Sequence, residues 1–359
     1  ANWGGQISRL SGPDLGTHQV YVDNLPRSAR DHLTNSIEFG PDGAMYVNQG
    51  SLSAMGAPDN AWSNRPEVQL SAAVLRIDVA ALEAAGVPFD AQTTDGGSYD
   101  PYAADAPIKV FATGVRNAYD LVWHSNGNLY VPTNGSAAGG NSPASVQGTI
   151  RPDNTPYDGP DIPALTSISK RNDYLFRVPA PQPSTDGEIV GTDGWSWNHN
   201  YYGHPNPSRG EYVLNGGDPT DGDGNDPADV PEYPGGTQPD EDYFGFAYDF
   251  GENKSPNGVI EFQSGVFGGA LTGKILVARF SGGDDLIVLL APNSTDGDIA
   301  EAYTTITGLG GFDDPLDLVE DPLTGALYVA EHDRDNSSTA QLTLLRPVGI
   351  SGDVPALAT

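Results

Sequence analysis

A histidine beside an aspartate, Asp31-His32, and an arginine beside an asparagine, Arg116-Asn117, are the two pairs in this chain whose residue types suit proton and charge transfer. A neutral imidazole within hydrogen-bond reach of a hydroxyl can take its proton near pH 7, and an adjacent carboxylate can orient or charge the ring. A fixed guanidinium stabilises negative charge as it develops on a reacting oxygen. A third group is acidic: the stretch Asp218 to Asp229, DPTDGDGNDPAD, sets six Asp or Asn side chains around two glycines. Oxygen donors at Asp218, Asp221, Asp223, Asn225 and Asp229 suit calcium, although the spacing departs from the EF-hand, with no flanking helices and no closing glutamate. The plainer alternatives are a surface Asp-His pair, a turn-stabilising Arg-Asn pair and a solvated acidic loop.

The elements that must position these groups are hairpins. Asp31 to Ser51, DHLTNSIEFGPDGAMYVNQGS, reads as strand, tight turn and strand: Ile37 and Phe39 alternate with polar neighbours, Gly40 to Gly43 turns the chain, and Met45 and Val47 resume the alternation. His32 stands at the mouth of this hairpin. Related phrases return at Leu121–Gly135 and Leu318–His332, each placing a turn before a strand of the form LYV. Repetition of one hairpin unit predicts an all-β fold, a β-propeller, over 1–359 as a single domain. Long loop excursions are expected at 52–72, 135–170 and 215–242. The one helix predicted follows Asp78 as N-cap and ends at Gly86, with Val79 and Leu82 on the core.

Composition agrees with short strands and many turns: 45 Gly and 30 Pro stand in 359 residues that are 37% hydrophobic. A net charge of −31, from 17 Lys+Arg against 48 Asp+Glu, makes a nucleic-acid backbone a poor partner. Zero cysteines remove disulfides, thiolate nucleophiles and cysteine-ligated metals. No run approaches the ~18 apolar residues of a membrane span. The chain opens at Ala1 without an initiator methionine, which reads as a processed, exported chain, extracellular, periplasmic or on the cell surface.

Taken in order, DHLTNS, GPDGAMYV, ATGVRNAYDLVW, NLYVPTNG, DYLFRV and NYYGHPNP resemble the glucose/sorbosone dehydrogenase family of quinoprotein propellers, soluble sugar dehydrogenases that use pyrroloquinoline quinone (PQQ). The resemblance covers roughly residues 5–345 and implies six blades, with the cofactor lying over the axis on a calcium ion. By that resemblance His32 is the general base for the sugar C1 hydroxyl, with hydride passing to the quinone. It makes Arg116 the arginine that polarises a quinone oxygen and Asn117 a cofactor contact. Gly135 and Ser136 fall where the family offers carbonyls to the cofactor's calcium, and Arg279 falls near a cofactor-binding lysine.

Two departures accompany the resemblance. Where glucose-oxidising members carry two arginines that grip cofactor carboxylates, this chain has Asp314 and Leu316. Arg65, Arg279 and Arg334 are the cations on other loops that could replace them. The second departure is at the start, where only 30 residues precede the Asp-His pair. Residues 1–30 read as the end of a blade, to be completed by Ala326–Leu345 or by a neighbouring molecule. Two functions are therefore expected: a PQQ-dependent dehydrogenase acting on a sugar, or a non-catalytic, calcium-stiffened propeller that serves as a surface, adhesion or assembly module, by self-assembly or within a larger chain.

Overall fold

The computed structural model describes residues 4–151, 154–180, 182–183, 189–190, 200–218, 220, 229–281, 286–332 and 340–348. It is mostly β, with the single α-helix Val79–Ala85 among the described residues. Asp78 caps that helix by accepting from the Ala81 N–H at 3.0 Å, and Gly86 ends it at φ 105°, a conformation that suits glycine. The chain packs into two compact units, 1–118 with 135–171 and 180–245, and 119–134 with 172–179 and 246–359.

The first unit holds the hairpin expected from Asp31–Ser51. Strands Thr34–Phe39, Met45–Gln49, Ala73–Ile77 and Ile108–Thr113 pair antiparallel in that order. The Gly40–Gly43 turn is closed by the Gly43 N–H to the Gly40 carbonyl at 2.9 Å. It is also pinned through Asp42, which accepts from Arg76 at 2.8 Å and from the Tyr46 hydroxyl at 3.1 Å. Met45–Gln49 is an inner strand and all five of its residues are buried. Ile37 and Phe39 instead stay 44% and 62% exposed, because their strand is the sheet edge and has a neighbour on one side only. Val22, Leu25, Met45, Val47, Leu75, Ile77, Leu82, Ile108 and Val110 form the core here.

Residues 1–30 depart from expectation. Gly4–Ser11 and Thr17–Pro26 make a hairpin of their own and gain a third, parallel strand from Phe89–Asp90. Among the described residues this sheet takes no strand from Ala326–Leu345, whose strands pair in another sheet. Met55 and Trp62 from the excursion 52–72, Leu165 from 135–170 and Val230 from 215–242 share one buried cluster with Tyr212 and Leu214.

The second unit contains three sheets. Tyr248–Glu252, Asn172–Val178, Leu129–Thr133 and Val122–Trp123 form one. Pro256–Phe262, Lys274–Arg279, Leu286–Pro292 and Ile299–Tyr303 form the next, and Pro315–Asp321, Ala326–Glu331 and Gln341–Leu345 the last. Both LYV hairpins are present as expected. Sheets of three or four strands, each running mostly antiparallel to its neighbour, have the build of propeller blades. Five such sheets are seen among the described residues, against the six that the resemblance implies.

Candidate active site

His32 lies in the first unit, just before its edge strand, and is 2% exposed. The chain is tied there at both ends: the Ser28 N–H donates to the His32 carbonyl at 3.1 Å, and the His32 N–H to Ser28 Oγ at 3.1 Å. Gly50 passes so close that a Cβ on it would lie 2.7 Å from the His32 Cβ, so a larger residue would push the imidazole out of place. Burial, then the charge of Arg116 and the neighbouring His204, hold the His32 imidazole well below its ordinary pKa, so the ring is neutral at pH 7.

The network also assigns its tautomer. Nδ1 lies 2.8 Å from Ser51 Oγ and 3.2 Å from the Ser51 carbonyl oxygen. The Ser51 hydroxyl spends its one proton on the Ser53 carbonyl at 2.8 Å, so towards Nδ1 it presents only a lone pair. Two acceptors therefore face Nδ1, which must carry the hydrogen, and Nε2 is left with a bare lone pair. Ser51, not the exposed Asp31, orients the ring.

Arg116 is anchored to the same turn. Its carbonyl accepts from the Ser51 N–H at 2.8 Å, its Nε donates to the Ala54 carbonyl at 2.8 Å, and its Nη1 donates to the Gly135 carbonyl at 2.9 Å. Trp62 joins the group, with its ring 4.4 Å from that of His32. The guanidinium carbons of Arg30 and Arg116 lie 5.6 and 5.9 Å from the indole centroid. Asn117 is half-buried next to Arg116.

Glu67 and His204 complete the constellation and were not singled out from sequence. Buried Glu67 accepts from the Leu52 N–H at 2.9 Å, the Ser53 N–H at 2.9 Å and the Ser53 hydroxyl at 2.5 Å. It also accepts from the Ser71 hydroxyl at 2.6 Å and from His204 Nε2 at 3.0 Å. Burial alone would raise its pKa, but the donors from His204, Ser53 and Ser71 outweigh that and hold it below the usual carboxylate range. His204 is 3% exposed, and burial, despite Glu67, keeps its pKa lowered; Nε2 gives its hydrogen to the carboxylate while Nδ1 has no hydrogen-bond partner among the described residues.

The loop carrying Glu67 is clamped from residues 206–211. Asn206 Nδ2 donates to the Val68 and Ser71 carbonyls. Fully buried Arg209 donates to the carbonyls of Gln69, Ser71 and Ala72 and forks onto Glu211 at 3.0 and 2.9 Å.

The other expected site residues are less concentrated. The Gly135 carbonyl is engaged by Arg116, and that of Ser136 by the Arg171 N–H at 3.2 Å and the Gly139 N–H at 3.4 Å. Asp218 is buried and accepts from the Thr220 N–H and hydroxyl at 2.8 and 2.9 Å, and from the Gly236 N–H. Buried Asp229 offers its carbonyl to Arg171, while Asp221, Asp223 and Asn225 lie outside the described residues, as does Arg334. Among the described residues no group of three or more His, Asp or Glu is arranged to hold a metal.

Arg65 donates to the Arg27 carbonyl in the first unit. Arg279 belongs to the second, buried at the end of its strand. Asp314, in the same unit, is buried and its carbonyl accepts from the His332 N–H at 3.1 Å; Leu316 beside it is half-buried. Among the described residues no helix is long and apolar enough to cross a membrane.

No family model matches the chain, and no curated protein does. Solved structures do. An oxidoreductase (glucose dehydrogenase) from Thermus thermophilus aligns at 20% identity and TM-score 0.46, over 91% of this chain and 69% of that one. The PQQ-bound aldose sugar dehydrogenase of Streptomyces coelicolor aligns at 14% and 0.46, over 92% and 66%. The PQQ domain of a pyranose dehydrogenase from Coprinopsis cinerea, in its holo form, aligns at 12% and 0.48, over 92% and 73%. The chain is structurally similar, at low identity, to sugar dehydrogenases of this kind.

Proposed function

We propose that this chain is a quinoprotein-type sugar dehydrogenase, with His32 as the base that takes the proton of an aldose C1 hydroxyl on the way to the lactone. The observation that carries the reading is the bare Nε2 of a neutral, tautomerically fixed imidazole beside a guanidinium. A base of this form binds a hydroxyl by accepting its hydrogen and needs no reorganisation to remove it. Arg116, held by two backbone carbonyls, supplies a fixed positive charge for oxygen that becomes anionic.

The two guanidinia within 6 Å of the Trp62 centroid would suit the carboxylates of PQQ in charge. Arg30, Arg116 and Asn117 are the residues that would hold it. When bound, PQQ supplies a two-electron acceptor for the hydride of a C1–H bond. Calcium belongs to the same proposal, with Asp218–Asp229 as its seat, and so does an extracellular, periplasmic or cell-surface setting, where an acidic surface meets a calcium-rich medium.

Titrating the protein with PQQ and calcium, while following the quinone absorbance, and then assaying aldose oxidation tests the reading. The wild-type chain is expected to bind and turn over, and His32→Ala to lose about 10²–10⁴-fold in rate. A fully active His32→Ala variant, or a wild-type chain indifferent to PQQ, would overturn it. The second reading, a non-catalytic assembly or adhesion module, is favoured by one observation, Asp314 and Leu316 standing where the resemblance places two carboxylate-gripping arginines.

A further inference from the structure

We propose that Glu67 and His204 are positioning residues for His32: the carboxylate, steadied by the His204 Nε2–H, shapes the Ser51–Ser53 turn, and that turn keeps the His32 proton on Nδ1. The inference rests on the reading of His32 as a base.

Each link is a hydrogen bond with a defined direction. His204 Nε2 donates to Glu67 Oε1 at 3.0 Å. The same carboxylate draws in two successive backbone N–H groups, Leu52 and Ser53, and the Ser53 hydroxyl. Successive amides converging on an anion form a concave turn, and here the anion is the protein's own side chain. With Ser53 held in this way, its carbonyl is aimed at Ser51 and takes the Ser51 hydroxyl proton at 2.8 Å. Only that commitment makes Ser51 Oγ an acceptor towards Nδ1. Were the turn to relax, the Ser51 hydroxyl could rotate and donate to Nδ1. That donor would compete with the Ser51 carbonyl, 3.2 Å from Nδ1, and part of the ring population would carry its proton on Nε2, the nitrogen that must stay bare to act as a base.

Glu67 cannot be replaced by an uncharged isostere without consequence. Its two oxygens receive at least five donors from Leu52, Ser53, Ser71 and His204, and an amide would set an N–H against one of them. The unpartnered Nδ1 of His204 fits the same picture, since the ring's single hydrogen is spent on Glu67.

The test is two-bond ¹H–¹⁵N NMR on the full chain labelled with ¹⁵N-histidine, with no cofactor added. His32 of the wild type should show Nδ1–H and an unprotonated Nε2. In Glu67→Gln and in His204→Leu, which removes the donor, Nε2–H should reach a substantial fraction, and a milder variant, Ser53→Ala, should do the same if either fails to fold. His204→Gln, which keeps an N–H for Glu67, should restore the wild-type tautomer. With an aldose and PQQ, kcat of Ser53→Ala should fall about tenfold with KM within about threefold, since the base and not the binding surface is affected. An unchanged His32 tautomer in the folded variants overturns the proposal. Loss of aldose oxidation by the wild type, with the tautomer chain intact, would instead overturn the proposed function alone.

Discussion

Acidifying the protein offers a direct measure of how deeply His32 is kept neutral. Its folded pKa is lowered from 6.5, whereas in the unfolded chain the ring titrates normally, so between the two values the unfolded state holds the extra proton. The stability that His32 contributes is therefore present above about pH 6.5 and is lost as the pH falls below it. A folded ring that stayed neutral down to pH 5 would set the upper bound of this loss, about 2 kcal/mol between about pH 7.5 and 5. His204, whose pKa is also lowered, acts in the same direction. Relief of repulsion in a chain of net charge −31 acts the other way. Comparing the wild type with His32→Gln by urea unfolding at the two pH values cancels these shared terms. Gln is chosen because it keeps an N–H for Ser51. The wild type should lose more than the variant on acidification, by up to about 2 kcal/mol. Parallel losses would show that the folded ring protonates freely, and the reasoning for a neutral base would fall.

Two further outcomes follow from buried and acidic groups. Arg209→Met should destabilise the fold by about 3–5 kcal/mol in urea, because it leaves Glu211 buried without its forked partner; the double replacement with Glu211→Gln should recover part of that loss. If Asp218–Asp229 seats calcium, the melting temperature should climb with calcium concentration and fall with chelator in the wild type but not in Asp218→Asn; identical responses in the two would exclude the loop.

The hairpins were legible because local chemistry dictates them. Gly40 to Gly43 can turn only as a tight loop, Asp78 and Gly86 bracket a helix by capping alone, and the LYV strands alternate on a period of two. Placement within a sheet was less so: the alternation at Ile37 and Phe39 does not tell an inner strand from an edge, which only pairing decides. The register of Ile299–Tyr303 is likewise fixed by the pairing of Leu289 with Tyr303 rather than by its own pattern. In the candidate site, His32 and Arg116 were readable from residue type and from the family resemblance. Ser51, Glu67 and His204 were not. Glu67 and His204 are 137 positions apart, and no periodicity or spacing rule connects a carboxylate to an imidazole over that distance. Asp31 stands exposed, and the ring takes Ser51 as its partner instead, a contact that chain adjacency does not reveal.

One carboxylate thus stands at the root of two imidazoles, and this governs how the chain can change. A substitution at Glu67, Ser53 or Ser71 reaches both rings at once, so their properties cannot be varied one at a time from this side of the site. Variants selected for a different pH optimum should therefore arrive in correlated sets, drawn from 51–71 and 204–211 together. The same arrangement predicts strong epistasis between two segments far apart in the chain: a change that is harmless in one background should be ruinous in another, according to whether its counterpart across the carboxylate has already shifted.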